Sequence, residues 1–407
     1  MTEHLYYHDS FLYEFDAAVA DTVTHDSRSA LVLDRTAFYP ASGGQAFDTG
    51  WIVLPDGEAK LRVAEVAEQE DGSILHLLET PATVVKGTRI HGVIDAERRR
   101  DHMQQHSGQH VLSAAFVRLF DMPTVSFHMG ADYCSIDLDT KTLSQQQVEA
   151  AEKLSNEVIA ENRPVDIRFV SQEEAVGLGL RKLPPAERDQ LRLIEMRDFD
   201  LTACGGTHVQ STGQIGGILL RKMEKVRQGW RVEFVCGLRA VATARRDYLA
   251  LTEAAGALST HTADVPQQIR KLQEDLRATR KGSEQSLADL AELSAGRLLE
   301  ETPETTGRKV VLRTFADRDL TFIKLLAQKL TRKSPNVIAL LGATAGQPAL
   351  VFGASPGMPF DMGALMKEAL AKLGGRGGGS KDMAQGGPQG VEEMETVLRT
   401  IADRLSS

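Results

Sequence analysis

The sequence predicts a multidomain α+β protein: a small N-terminal β-barrel, an α+β domain, a linker helix and a C-terminal α/β domain. Three observations point there. Short apolar runs separated by turn residues fill the chain up to residue 95, a helical period with histidines on it begins at Asp95, and strand-like and helix-like patterns alternate beyond residue 303. At 407 residues and a net charge of −9, the chain has room for several folding units with sizeable cores.

The barrel strands are expected at residues 15–24, 30–38, 51–54, 60–67, 73–78 and 88–94, with Pro-Asp-Gly at 55–57 and Glu-Asp-Gly at 70–72 as hairpin turns. Residues 1–95 form this domain. In 96–250, Ala96, His102, His106, Val111, Leu112, Phe116 and Leu119 recur at helical spacing. A second helix is expected at 144–162, an extended segment at 165–170, and strands around 213–221 and 230–236. Residues 251–302 hold a linker helix. Val265, Ile269, Leu272, Leu276, Thr279, Ser283, Leu287, Leu290 and Leu293 approximate a 4-3-4-3 series, the pattern of a coiled-coil seam or of an amphipathic helix on its own domain. In 303–407, strands at 310–315, 337–343 and 349–355 alternate with helices at 319–331 and 362–373. A glycine-rich stretch at 374–387 and a terminal helix follow.

Hydrophobic residues make up 42% and charged residues 25%, a globular composition that excludes a fibrous or disordered chain. No apolar run approaches the ~20 residues of a membrane helix, so no membrane partner is expected. The N-terminus lacks the basic and apolar segments of a signal peptide, which leads us to expect a cytoplasmic protein. Cys134, Cys204 and Cys236 are too few and too scattered for a disulfide framework. Cys134 and Cys236 sit in apolar strand contexts and read as core thiols. With acids in excess, any nucleic-acid contact must come from local basic patches.

The chemistry concentrates in three segments. In His106-Ser107-Gly108-Gln109-His110 the two histidines are four apart, so both imidazoles leave one helix face. Cys204-Gly205-Gly206-Thr207-His208 adds a thiol and a third imidazole, and its glycines allow a tight backbone. Together they make a His₃Cys set suited to Zn²⁺. His102 also lies four from His106, so the ligand register could instead be 102/106, and His102 is otherwise a candidate phosphate or substrate contact. The absence of Glu after the first histidine excludes the His-Glu-x-x-His protease mechanism. The third segment runs from Thr36-Ala37-Phe38-Tyr39-Pro40 through Gly43-Gly44-Gln45, where a hydroxyl, aromatics and a flexible amide-bearing turn would build a small pocket. A hairpin with a glycine bulge is its structural alternative.

In order and wording these three segments resemble the editing domain of alanyl-tRNA synthetase and its free-standing relatives, the AlaX trans-editing proteins. The glycine-rich tail is similar to the synthetase's C-terminal DHHA1-type domain, and the whole resembles the long AlaX form. The resemblance implies a zinc-containing editing domain at 96–250 of the threonyl/alanyl-tRNA synthetase second additional domain type, with a DHHA1-like tRNA-binding domain at 303–407. It selects His106, His110, Cys204 and His208 as the Zn²⁺ ligands. It implies hydrolysis of tRNA(Ala) mischarged with serine or glycine, and is compatible with a homodimer through the C-terminal region. Because the barrel starts at residue 1, an editor without the alanine-activating domain is expected.

By that analogy Thr36 binds the serine hydroxyl, Gln45 orients water or the ester carbonyl, and Cys204 is a catalytic ligand. Phe38, Gly43 and Gly44 complete the substrate pocket. A pocket built to bind a hydroxyl discriminates strongly against a side chain lacking one, so alanine is spared. A closed four-ligand sphere would be structural and an open one catalytic. For tRNA, Arg98-Arg99-Arg100, the run Arg221, Lys222, Lys225, Arg227 and Arg231, and Arg376 with Lys381 supply cations. Two other readings are a zinc-stabilised tRNA-binding module without catalysis and a DHH-type phosphoesterase relative, for which Asp101-His102-Met103 lacks the Asp-His-His core.

Overall fold

The computed structural model describes residues 2–55, 57, 59–178, 180 and 190–407. They divide into two compact units, Met1–Glu253 and Ala254–Ser407. Among the described residues, no helix is long and apolar enough to cross a membrane.

The first unit opens with a closed barrel. In ring order its strands are Glu14–His25, Arg28–Leu33, Ile74–Leu78, Lys60–Glu68, Gly50–Val53 and Arg89–Ile94, all paired antiparallel. Alternate residues such as Val19, Leu31, Leu33, Ile52, Val63, Ile74 and Ile90 fill it, as the period-2 pattern requires. Asp26 and Ser27 both take positive φ, at 47° and 64°, in the tight turn between the first two strands. Residues 30–38 do not form one strand, as the apolar run suggested. The wall ends at Leu33, and Arg35–Thr36 pairs in parallel with Glu3–His4. Ala37 and Phe38 then turn into the barrel as fully buried plugs. The turn at 55–57 includes Asp56, which lies outside the described residues.

Helix α1 (Ala96–Phe120) follows, capped by Asp95, whose side chain accepts from the Arg98 backbone. Every residue from His102 to Phe116 is buried. One side packs on α2 (Gln145–Ala160), which starts with a Ser144–Gln147 capping box. Another packs on a four-stranded antiparallel sheet in the order Ile218–Val226, Gly229–Cys236, Cys134–Leu138, Thr124–Met129. A Cβ on Gly108 would fall 2.2 Å from Cys236 Sγ, so the helix and sheet touch there without a side chain between them. Cys134 and Cys236 are both fully buried, and burial pushes each thiol upward in pKa, Cys134 to about 12, as core thiols require. A three-stranded sheet, Val165–Val170, Leu191–Met196 and Asp200–Ala203, and the short α3 (Gln172–Gly177) complete the domain, and α4 (Gly237–Ala257) leads out of it.

Arg99 joins the barrel to α1. Its guanidinium, wholly buried, is bound to the equally buried Asp48 carboxylate through Nε at 3.0 Å and through a second nitrogen, and donates to Ser10 O at 2.9 Å and Ala37 O at 2.6 Å. Asp48 also accepts from Tyr39 N at 2.7 Å. Every polar atom of the pair is thereby satisfied, the condition under which a buried ion pair is tolerated.

In the second unit a five-stranded sheet has the order Lys309–Phe315, Val337–Ala343, Ala349–Ala354, Met383–Gly387, Arg376–Gly379, with only the first pair parallel. Strand Val337–Ala343 is buried throughout because both faces are covered. Its Val337, Ala339 and Leu341 meet α5 (Val265–Glu301) and α6 (Leu320–Lys333). Ile338 and Leu340 meet α7 (Met362–Leu373) and α8 (Met394–Ser406). The glycine-rich stretch forms strands that pair as an edge hairpin, in which Gly377 and Gly379 approach Gln385–Ala384 too closely for a Cβ. And α5 packs by Leu287, Ala291, Ala295 and Leu299, four apart, while the heptad residues Leu290 and Leu293 are exposed along with Ile269, Leu272 and Leu276. Small alanines at every fourth position let α6 come close, which outweighs the larger leucines.

Candidate metal centre

Helix α1 holds His106 and His110 one turn apart, and the loop leaving strand Asp200–Ala203 brings Cys204 and His208 against them. The ligand atoms of these four residues all lie within 4.8 Å of one another. Cys204 Sγ is 3.4 Å from His106 Nε2 and 3.3 Å from His208 Nε2. His102, in the competing register, lies outside this cluster.

Surrounding residues hold the imidazoles, and for His106 they fix where the proton sits. Gln45 Oε1 accepts from Thr207 N at 3.0 Å, so the amide oxygen, not its nitrogen, faces this N–H. The same oxygen lies 2.8 Å from His106 Nδ1, which therefore carries the proton and leaves the Nε2 lone pair facing Cys204. His110 Nδ1 stands 3.4 Å from the Asp200 carboxylate, close enough for an ion pair but without a hydrogen bond. His208 Nδ1 meets Ser107 Oγ at 3.3 Å, and Ser107 also accepts from Val209 N. His106 and His208 thus turn Nε2 toward Cys204. Both ring nitrogens of His110 are buried and have no hydrogen-bond partner among the described residues, which calls for an unseen partner.

Electrostatics agree with a ligand set. Burial opposes ionisation of Cys204, but the neighbouring imidazoles, His106 first, outweigh it and hold the thiol well below its usual range. A thiolate is the metal-binding form. Burial pushes His208 down to about 3, keeping it neutral. Three imidazoles, one of them held neutral, and a thiolate converging within 4.8 Å of one another fit a tetrahedral divalent ion.

The pentapeptide's two glycines are not equivalent. A Cβ on Gly206 would lie 2.1 Å from His106 Cε1, whereas one on Gly205 would meet nothing closer than Tyr7 Oη at 3.6 Å. Arg192 holds the loop from behind, donating to Cys204 O at 2.7 Å, Gly206 O at 2.9 Å and Tyr7 O at 2.8 Å. Phe127 stacks on His106 with centroids 5.5 Å apart. Gly44, at φ +86°, passes so near Phe127 that a Cβ would sit 2.6 Å from its carbonyl oxygen.

The other expected residues fall as follows. Gln45 is buried and joins the cluster, its Nε2 donating to Thr207 Oγ1 at 2.8 Å. Thr36 and Phe38 are fully buried in the barrel. Thr36 Oγ1 accepts from Phe38 N at 3.1 Å and lies 2.8 Å from His76 Nε2. His76 Nδ1 must donate to Leu31 O at 2.9 Å, so Nε2 is the acceptor and Thr36 gives its proton to it. Gly43 and Gly44 form an exposed turn closed by the Ser42–Gln45 bridge. Of the basic residues, Arg221 is bound to Asp247, Lys222 to Glu224 at 2.5 Å and Arg231 to Asp137 at 2.7 Å, so their charge is locally neutralised. Arg100, Arg376 and Lys381 are exposed and form no ion pair among the described residues. Sequence reasoning missed His76, Ser107, Asp200 and Arg192. Of these only Ser107, inside the His-Ser-Gly-Gln-His motif, carried any local signal.

Comparisons with known proteins converge on one family. Residues 3–98 match the family of class II (A) tRNA synthetases, 191–232 the threonyl and alanyl tRNA synthetase second additional domain, and 307–407 the DHHA1 domain. The chain is 32% identical to the alanyl-tRNA editing protein AlaX-L of Pyrococcus horikoshii, over 100% of this chain and 99% of that one. It is also 32% identical to the alanine–tRNA ligases of Pyrococcus furiosus and Archaeoglobus fulgidus, spanning 44% of each. Among solved structures, the C-Ala domain of Aquifex aeolicus alanyl-tRNA synthetase aligns over 26% of this chain and 98% of its own, at 19% identity and a TM-score of 0.25, too loosely to carry an argument. Full-length likeness at this identity, on a chain whose His₃Cys motifs meet in space, means that the protein belongs to the family of alanyl-tRNA editing proteins.

Proposed function

We propose that this protein hydrolyses the ester linking a wrong amino acid to tRNA(Ala), chiefly Ser-tRNA(Ala) and also Gly-tRNA(Ala), in the cytosol. The observation that carries this reading is the His106–His110–Cys204–His208 cluster, three of its residues buried and the ring nitrogens of His110 without hydrogen bonds among the described residues, in a chain related end to end to an alanyl-tRNA editing protein. Those four residues would hold Zn²⁺, which when bound supplies a fixed positive charge and Lewis acidity beside the ester.

The chain's own groups do the rest. An aminoacyl ester is already activated, so the site has to position it, admit water and stabilise a developing oxyanion. Gln45 uses one amide hydrogen on Thr207 and keeps the other for the ester carbonyl. Thr36 has given its proton to His76, so its oxygen offers only a lone pair, which suits the O–H of serine and gains nothing from the methyl of alanine. Since Thr36 is fully buried, this role requires the exposed turn at 41–44 to shift as substrate enters. Arg100, Arg376 and Lys381, free of carboxylate partners among the described residues, are better placed to meet phosphates than Arg221, Lys222 and Arg231.

The test is a deacylation time course on Ser-tRNA(Ala) and Ala-tRNA(Ala), with and without a chelator. Prompt loss of serine, sparing of alanine and arrest by the chelator are expected. Binding of Ser-tRNA(Ala) without turnover would favour a tRNA-binding module, and release of mononucleotides a phosphoesterase.

A further inference from the structure

His76 sits in the middle of strand Ile74–Leu78, every residue of which is buried, and its ring meets that of Phe38 edge to face with centroids 5.5 Å apart. A buried imidazole in an apolar barrel gives up its hydration and is tolerated when its nitrogens are hydrogen-bonded. Each nitrogen here has one partner: Leu31 O lies 2.9 Å from Nδ1, and Thr36 Oγ1 lies 2.8 Å from Nε2. Leu31 faces His76 across the β-ladder, so strand register fixes the first bond. Thr36 has little freedom of its own. Its backbone pairs with that of His4, the next carbonyl, Ala37 O, accepts from Arg99, and its side-chain oxygen accepts from Phe38 N at 3.1 Å. What can still turn is the hydroxyl proton, and His76 Nε2 takes it.

We propose that His76 is a positioning residue for acyl-group specificity: by holding the Thr36 proton it restricts strong recognition to small side chains that end in a hydrogen-bond donor. This rests on the editing function and the Thr36 contact proposed above. A hydroxyl has one proton and two lone pairs. With the proton on His76 and one lone pair on Phe38 N, the second lone pair remains for the proton of a serine hydroxyl. Were the Thr36 proton turned toward the substrate, serine would have to accept it, and serine's own proton would lose its acceptor in a buried pocket, which costs a hydrogen bond. A glycyl ester makes no such contact, so its hydrolysis is indifferent to the direction of that proton. His76 therefore acts on the choice between acyl groups and not on ester cleavage itself.

The test compares kcat/KM for Ser-tRNA(Ala) and Gly-tRNA(Ala) in the full-length protein, so that the glycyl rate corrects for any loss of folded enzyme. His76→Leu should lower the serine-to-glycine ratio about tenfold, the weight of one hydrogen bond. His76→Gln should keep the ratio within about threefold of wild type, because its carboxamide can donate to Leu31 O and accept from Thr36. Thr36→Val should lower the ratio too, and His76→Leu added to it should change nothing further, since the two residues act as one unit. At neutral pH, where burial keeps the ring uncharged, nitrogen-15 NMR of the wild type should find His76 protonated at Nδ1 and bare at Nε2. The proposal is overturned if His76→Leu slows both esters equally or neither, or if His76→Gln fares no better than His76→Leu. It is equally overturned if the loss persists in Thr36→Val protein, or if the opposite tautomer is found. An unchanged ratio in Thr36→Val alone would reject Thr36 as the serine contact, and His76 with it. A wild-type protein that hydrolyses neither ester would reject the editing function, while the NMR tautomer reads His76 independently.

Discussion

Gln45 and His106, from the barrel and from α1, share one proton: Nδ1–H of the histidine points at the amide oxygen 2.8 Å away, and the ring's other nitrogen is thereby committed to the cluster. A turn residue thus sets the tautomer of a ligand on a buried helix. Such outer partners typically govern metal affinity by ten- to a hundredfold.

Gln45→Leu should therefore lower Zn²⁺ affinity by about 10–100-fold, since it leaves His106 Nδ1–H and Thr207 N–H without their acceptor. Competition against a chromophoric chelator measures this. Undiminished affinity would mean that His106 needs no outside help.

Replacing the glycines of the pentapeptide separates steric need from flexibility. Gly206→Ala should abolish stoichiometric metal binding, because its Cβ would overlap His106. Gly205→Ala should retain both metal and activity within a factor of about two, as its surroundings are open. Elemental analysis of both purified variants decides it.

Cutting the Arg99–Asp48 pair by Asp48→Ala should destabilise the protein by about 3–5 kcal/mol, because Arg99 keeps a buried charge with no counterion. The double change Asp48→Leu with Arg99→Met should recover a large part. Denaturant midpoints report both, and additive losses would show that the pair is not coupled.

His76 gives a pH signature. Burial pushes its pKa down to about 4 from an ordinary 6.5, so protonation opposes folding. The neutral ring's contribution is fully present above pH 6.5 and is lost as pH falls toward 4, amounting to about 3 kcal/mol over that span. Wild-type stability should therefore drop more steeply than that of His76→Gln between pH 6.5 and 4, with parallel curves below. Equal slopes would show that His76 is not held neutral in the fold.

The four presumptive ligands were legible because their signals are local: a four-residue helical spacing and a pentapeptide with its thiol and imidazole at the ends. The barrel was legible from its period-2 runs. His76, Asp200 and Arg192 were not, because their meaning comes from residues dozens of positions away: Thr36 for His76, His110 for Asp200, and the Cys204 loop for Arg192. The stripe on α5 was legible only in part. Pattern favours large side chains, but the contact with α6 selected Ala291 and Ala295 for their small size. The basic residues 221, 222 and 231 looked available in one dimension and found carboxylates in three.

Helix α1 carries His102 and the ligands His106 and His110 on one rigid rod, buried on every side from 102 to 116. Inserting a single residue between 102 and 110 would swing everything beyond it by about 100° around the axis and strand an imidazole in the hydrocarbon interior. Lineages of this protein can therefore trade residues along that stretch but not lengthen or shorten it. The interval between His102 and the His106–His110 pair is fixed by helical phase.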